Sequence, residues 1–118
     1  MNGEAQTILD LETLTVLRDA IGDDINNIIS LYLNDVPNSL QRMQQALEQN
    51  DLVTVGRLAH SLKSSSASLG AMQISRLAAG LEYDISVGVH EVPKILNAIK
   101  SLQQSFDQIS PLFRDYLK

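Results

Sequence analysis

The sequence predicts an all-α fold: an antiparallel, up-and-down four-helix bundle preceded by additional short N-terminal helices. Three observations predict it. Apolar residues recur at steps of three and four along nearly the whole chain. No run alternates with the period of two that a half-buried strand requires. Turn-forming residues separate long amphipathic segments by only a few positions, which sets neighbouring helices antiparallel. A chain of 118 residues is the length of one domain, and a hydrophobic content of 44% supplies a packed core.

The elements follow in order. Residues 1–7 are polar and expected to be flexible. Ile8, Leu11, Leu14 and Leu17 form a first short stripe that ends near Gly22. Asp23 or Asp24 can cap a second helix, whose apolar face is Ile25, Ile28, Ile29, Tyr32, Leu33 and Val36. Pro37 marks a break or a first-turn position, so residues 8–36 are read as N-terminal helices. The bundle is placed at 37–109, with helices at about 37–49, 51–69, 72–87 and 92–109. Leu40, Met43 and Leu47 mark the face of the first of these, and Asn50 and Asp51 offer an N-cap to the second. That second helix carries the stripe Leu52, Val55, Ala59, Leu62, Ser66, Leu69, a bundle seam that Gly70 can end in a left-handed conformation. Ile74, Leu77, Ala78, Leu81 and Ile85 form the third, which stops near Gly88. Pro93 suits the start of the fourth, with the stripe Val92, Ile95, Ile99, Leu102, Phe106, Ile109. Ser110-Pro111 should break or kink it and leave a short C-terminal helix over 110–118.

Composition excludes several functions. A formal charge of -5 argues against a nucleic-acid binder, which needs a basic surface. The absence of cysteine removes disulfides and thiolate zinc sites, and two histidines are too few for a His-rich metal site. No stretch is apolar enough for membrane insertion, and no targeting segment is evident, so a cytoplasmic chain is expected, free-standing or cut from a larger protein. No Gly-rich nucleotide loop and no acidic magnesium site point to a kinase.

The informative run is Ala59-His60-Ser61-Leu62-Lys63-Ser64-Ser65-Ser66-Ala67-Ser68-Leu69-Gly70-Ala71. His60 lies one residue off the apolar seam. Its helical neighbours are Gly56 and Arg57 on one side, Lys63 and Ser64 on the other, and Ala67 a turn further. Gly56, Ser64 and Ala67 are small and leave the ring unshielded. Neutral imidazole is a nucleophile near physiological pH, and a phosphoryl group attached to it adds a charge of roughly -1.5 to -2 that a neighbouring cation would stabilise. Lys63 supplies that cation, with Arg57 a second candidate. On spacing alone, a solvated surface histidine beside a lysine is the commoner reading. His90, in a turn between Gly88 and Pro93, reads as a solvent histidine. Asp23-Asp24 reads as a capping pair, Met43 and Met72 as core or core edge, and Ser64–Ser66 as no nucleophile, since no elbow motif surrounds them.

The run His60-Ser61-Leu62-Lys63-Ser64-Ser65-Ser66, closed by Gly70-Ala71 and followed by Leu81-Glu82, resembles the signature of histidine-containing phosphotransfer (HPt) domains, H-x-L-K-G-S-[SA]-x-x-x-G-A. Leu33-Asn34-Asp35-Val36-Pro37 is similar to the segment that leads into the family's bundle, so the likeness covers roughly residues 25–109. The resemblance implies that His60 is phosphorylated, that Lys63 steadies the phosphate, and that Gly70 closes the helix. It implies a phosphocarrier, not an enzyme, relaying phosphoryl groups between aspartates of receiver domains in a two-component phosphorelay. Its partners would be response-regulator receivers or a hybrid sensor histidine kinase. No cofactor belongs to the chain itself, magnesium being expected in the receiver. Receiver docking is expected around Gly56, Arg57, Ser64 and Ala67, with Leu40 or Met43 at the rim, on a monomer. Glu82 matches the family pattern and reads as structural or solubilising. Ser64 stands where the family has glycine. The competing readings are a non-catalytic adaptor bundle and a dimerising histidine-kinase core.

Overall fold

The computed structural model describes residues 8–117; the predicted flexible segment at 1–7 lies outside them. The helices are α1 (Leu11–Ile21), α2 (Asp24–Glu48), α3 (Leu52–Ser68), α4 (Met72–Ser86) and α5 (Val92–Leu117), and no strand occurs among the described residues. Helices α2 to α5 run up and down, each packed on the next, with α5 closing back on α2. Helix α1 lies against α2, a short N-terminal addition to the bundle.

Two predicted breaks are absent. Helix α2 runs unbroken through Pro37, and α5 runs through Pro111. The separate helix over 25–36 and the separate C-terminal helix after 109 are therefore parts of the first and last bundle helices. A proline inside a helix removes one hydrogen bond and costs about 3 kcal/mol or more. Both prolines face solvent, where water can serve the carbonyls of Leu33 and Asp107 that lose their donors. The apolar stripe meanwhile continues past each. Ile25, Ile29, Tyr32, Val36, Leu40, Met43 and Leu47 are buried along α2, and Ile95, Ile99, Leu102, Phe106, Ile109 and Phe113 along α5. Each large side chain so buried stabilises by about 1.5–3 kcal/mol, so the stripe outweighs the proline.

The turns are built as sequence chemistry requires. Helices α2 and α3 both end with a six-to-one and a five-to-two backbone hydrogen bond: Asp51 N to Ala46 O and Asn50 N to Leu47 O, then Ala71 N to Ser66 O and Gly70 N to Ala67 O. Asn50 takes the left-handed position of the first (φ 57°) and Gly70 that of the second (φ 80°). Gly70 is required twice over, because a Cβ there would lie 2.6 Å from the Asp10 carbonyl oxygen. That close approach lets Asp10 N donate to Gly70 O at 2.7 Å and hooks the N-terminal segment to the α3–α4 turn. Asp51 caps α3 through Thr54 N, as predicted, and Asp10 caps α1 through Glu12 N. Asp23 occupies the α2 cap position but makes no side-chain cap bond.

Helices α3 and α4 share the tightest seam, because their facing positions are small: Ala59 and Ser66 on α3, Ser75 and Ala78 on α4, all buried. Ser75 Oγ donates to the Lys63 carbonyl at 3.0 Å and pins the register of the two helices. In the interior, the Tyr32 hydroxyl meets Ser66 Oγ at 2.6 Å, and its ring stands edge-on to Phe113 with centroids 5.5 Å apart. Burial pushes the Tyr32 hydroxyl up to about 12, against a smaller lowering by the Ser66 hydrogen bond. Tyr32→Phe leaves the buried Ser66 hydroxyl without this partner and should cost about 1–3 kcal/mol in denaturant unfolding. The raised value fixes a sign. The protonated phenol is favoured in the folded state, so its contribution is complete below the ordinary 10.0 and is lost as pH rises toward about 12. The stability gap between wild type and Tyr32→Phe should narrow over that window.

Candidate functional site

The bundle places His60 on the outer face of α3, one position past buried Ala59, with 61% of its side chain exposed. That exposure decides what the ring can do, since a group on a partner protein can reach it. The α3–α4 register brings Glu82 across from it. Glu82 Oε2 lies 2.6 Å from His60 Nδ1, and Glu82 Oε1 accepts from Lys63 Nζ at 2.7 Å. One carboxylate thus bridges the imidazole and the ammonium, which sit three residues apart on α3 as the helical spacing predicts.

The hydrogen bond from Lys63, more than that from His60, holds the Glu82 carboxyl below the usual glutamate range, while partial burial opposes it. Glu82 is therefore ionised at neutral pH. Its part in the bridge is present above the ordinary glutamate range and is lost as pH falls through the lowered value. An ionised carboxylate has only acceptor oxygens, so Nδ1 must carry the hydrogen. The neutral ring then keeps its lone pair on Nε2, on the side away from Glu82.

The other predicted residues do not all share this face. Ser64 and Ala67 are exposed. Gly56 is half-buried, and a Cβ there would sit 3.5 Å from Ile85 Cγ2, so it lies toward α4 at ordinary packing distance and not on open surface. Arg57 is exposed, and its guanidinium donates to Thr54 Oγ1 at 3.4 Å, back toward the start of α3. Leu40 and Met43, expected at the rim, are core residues at 2% and 0% exposure. They lie on the inner stripe of α2, the apolar face that their spacing with Leu47 marks, and so leave the rim to other side chains. The apolar side chains that reach the surface of α2 near α3 are Ile28 and Leu31. With Ser61, Ser65 and Leu69 of α3 they line an open groove of about 420 Å³.

Sequence reasoning missed the part Glu82 plays. Its only signal was the Leu81-Glu82 pair, and the contact depends on an inter-helix register that the pattern of a single helix does not carry. His90 lies exposed in the α4–α5 turn, its Nδ1 2.9 Å from the Gly88 carbonyl oxygen. Among the described residues no group of three or more His, Cys, Asp or Glu side chains is placed to hold a metal ion, and no helix is long and apolar enough to cross a membrane.

The same helical fold occurs in solved structures. Histidine-containing phosphotransfer protein B (HptB) from Pseudomonas aeruginosa PAO1 superposes with a TM-score of 0.87 at 23% sequence identity, over 93% of this chain and 94% of that one. The HPT domain of an Hpt sensor hybrid histidine kinase from Shewanella superposes with a TM-score of 0.71 at 19% identity, over 93% of this chain and 97% of that one. No curated protein gives a significant match. The family model for the Hpt domain matches residues 27–111, a span that takes in α3 and α4 whole and most of α2 and α5. The chain therefore belongs to the Hpt domain family, whose function is histidine phosphotransfer in phosphorelays.

Proposed function

We propose that His60 is the residue that accepts and hands on the phosphoryl group, through Nε2. The observation that carries this reading is the 2.6 Å contact between Nδ1 and Glu82 on an exposed ring. It holds one tautomer and one ring orientation and leaves the nucleophilic nitrogen facing outward. The donor and acceptor are aspartates of receiver domains, which supply magnesium and the groups that stabilise the metaphosphate-like transition state. This chain supplies a positioned imidazole, a cation and a docking face; it acts as a carrier and needs no cofactor of its own.

Lys63 has three N–H donors and gives one to Glu82. Those remaining can approach phosphoryl oxygens one helical turn away. Charge-assisted contacts of this kind are worth about 1.5–3 kcal/mol when well formed. The receiver docks over Ser64 and Ala67, the small exposed positions on the C-terminal side of His60, with the Ile28–Leu31 edge of α2 beside it. Gly56 and Arg57 border the ring on its other side. The domain acts as a monomer in the cytoplasm, where receivers are found.

The test is labelling. A phosphorylated receiver with Mg²⁺ should pass label to the wild type and none to His60→Gln, with both proteins equally helical. Label that persists in His60→Gln would sink the assignment and favour a bundle that carries phosphate elsewhere or acts only as an adaptor.

A further inference from the structure

Ser64 brings a hydroxyl to a position where the family has glycine. Keeping His60 accessible does not call for one. Ser64 follows His60 by four residues, so their Cβ atoms lie about 5–6 Å apart. Side chains on a helix lean back toward its N-terminus, which carries the Ser64 side chain over the turn that holds the imidazole. Lys63 turns toward α4, where Glu82 accepts from it at 2.7 Å. At about 100° per residue, Ser64 falls on the opposite side of His60, toward the groove that Ser61 and Ser65 line. Nε2 faces that side too, because Nδ1 is held by Glu82. The hydroxyl is available. Ser65 Oγ donates to the Leu62 carbonyl at 3.3 Å, and Ser68 Oγ to the Ser64 carbonyl at 3.0 Å. The Ser64 hydroxyl, on an exposed residue, makes no hydrogen bond to any other described residue.

We infer that the Ser64 hydroxyl donates a hydrogen bond to a phosphoryl oxygen carried on Nε2 of His60, and so slows loss of the phosphoryl group to water. The inference rests on phosphorylation of His60 at Nε2. In hydrolysis the oxygen of water bonds to phosphorus and the N–P bond breaks. Its electron pair returns to Nε2, and inorganic phosphate leaves with both water protons. In the loose, metaphosphate-like transition state, part of the phosphoryl charge has already passed back to the ring. A donor on the phosphoryl oxygens therefore holds the resting phosphohistidine more strongly than the transition state, which raises the barrier. While a receiver is docked, its magnesium and its own donors take those oxygens. The hydroxyl acts in the interval between partners, when the group is stored on this chain alone. Glycine at the same position offers no such donor.

The experiment phosphorylates the intact wild type, Ser64→Ala and Ser64→Thr with potassium phosphoramidate. No receiver is present, so docking does not enter. Once the reagent is removed, ³¹P NMR follows the decay of phosphohistidine at neutral pH, and circular dichroism confirms that the three proteins are equally helical. Ser64→Ala should lose its phosphoryl group about three to ten times faster than the wild type, the effect of one hydrogen bond to a charged group where water competes. Ser64→Thr keeps the hydroxyl and should decay at close to the wild-type rate. A merely structural Ser64 would leave all three lifetimes equal, and that result overturns the inference. So does slower decay in Ser64→Ala, the sign of a hydroxyl that steers water onto phosphorus, and so does a threonine form as short-lived as the alanine form. A wild-type spectrum with no phosphorus on His60 overturns the underlying reading as well, and is distinguished because no variant then carries a phosphohistidine to decay.

Discussion

Phe113→Ala should lower the unfolding free energy by about 3–5 kcal/mol, the usual cost of emptying a large buried aromatic site. Phe113 has no exposed surface and stands edge-on to Tyr32, 5.5 Å between centroids. It lies two residues past Pro111, in the part of α5 that pattern reading assigned to a detached terminal helix. The two descriptions predict different energies. A terminal helix packed loosely on the bundle would lose little when trimmed, whereas a final turn that supports Tyr32 and through it Ser66 of α3 would lose several kcal/mol. Denaturant unfolding monitored by circular dichroism decides. A loss below about 1 kcal/mol would show that the bundle ends near Ile109.

Ser64→Trp should cut phosphotransfer from a receiver by about a hundredfold or more while changing stability by no more than about 0.5 kcal/mol. Ser64 is exposed and lies one turn beyond His60 on α3. An indole there overhangs the ring from the side on which we place the receiver. Contacts of this transient type are small, below about 1,200 Å² in total, so one large side chain at the centre disturbs most of the interface. Ser64→Gly should transfer at the wild-type rate, with a helix-propensity cost of at most about 1 kcal/mol. Single-turnover transfer from a phosphorylated receiver measures both. Normal transfer to the tryptophan variant would move the docking face elsewhere.

How much of this was legible in the sequence follows from which interactions are local. The two middle bundle helices, the Asp51 cap, the left-handed Gly70 and the His60–Lys63 spacing all depend on residues within a turn or two of one another, and all appear where the pattern put them. The two prolines misled because a proline is a local cost, while the burial that overrides it at Val36, Leu40 and Phe113 is set by distant helices. Leu40 and Met43 were read both as the apolar face of a bundle helix and as the rim of the docking patch, and burial in the core leaves only the first. Gly56 looked like open surface because sequence shows its size but not that Ile85 of α4 faces it. Glu82 lies 22 residues from His60, and only the α3–α4 register, pinned by Ser75 on the Lys63 carbonyl, makes the two meet.

The central claim is that Nε2 of His60, freed by the Glu82 contact on Nδ1, bears the phosphoryl group. The most direct measurement is the one-bond ¹⁵N–³¹P coupling in ¹⁵N-histidine-labelled protein that a receiver has phosphorylated. The account predicts coupling to Nε2 of His60, with Nδ1 still carrying its hydrogen and His90 unchanged. Coupling to Nδ1, or to either nitrogen of His90, would contradict it.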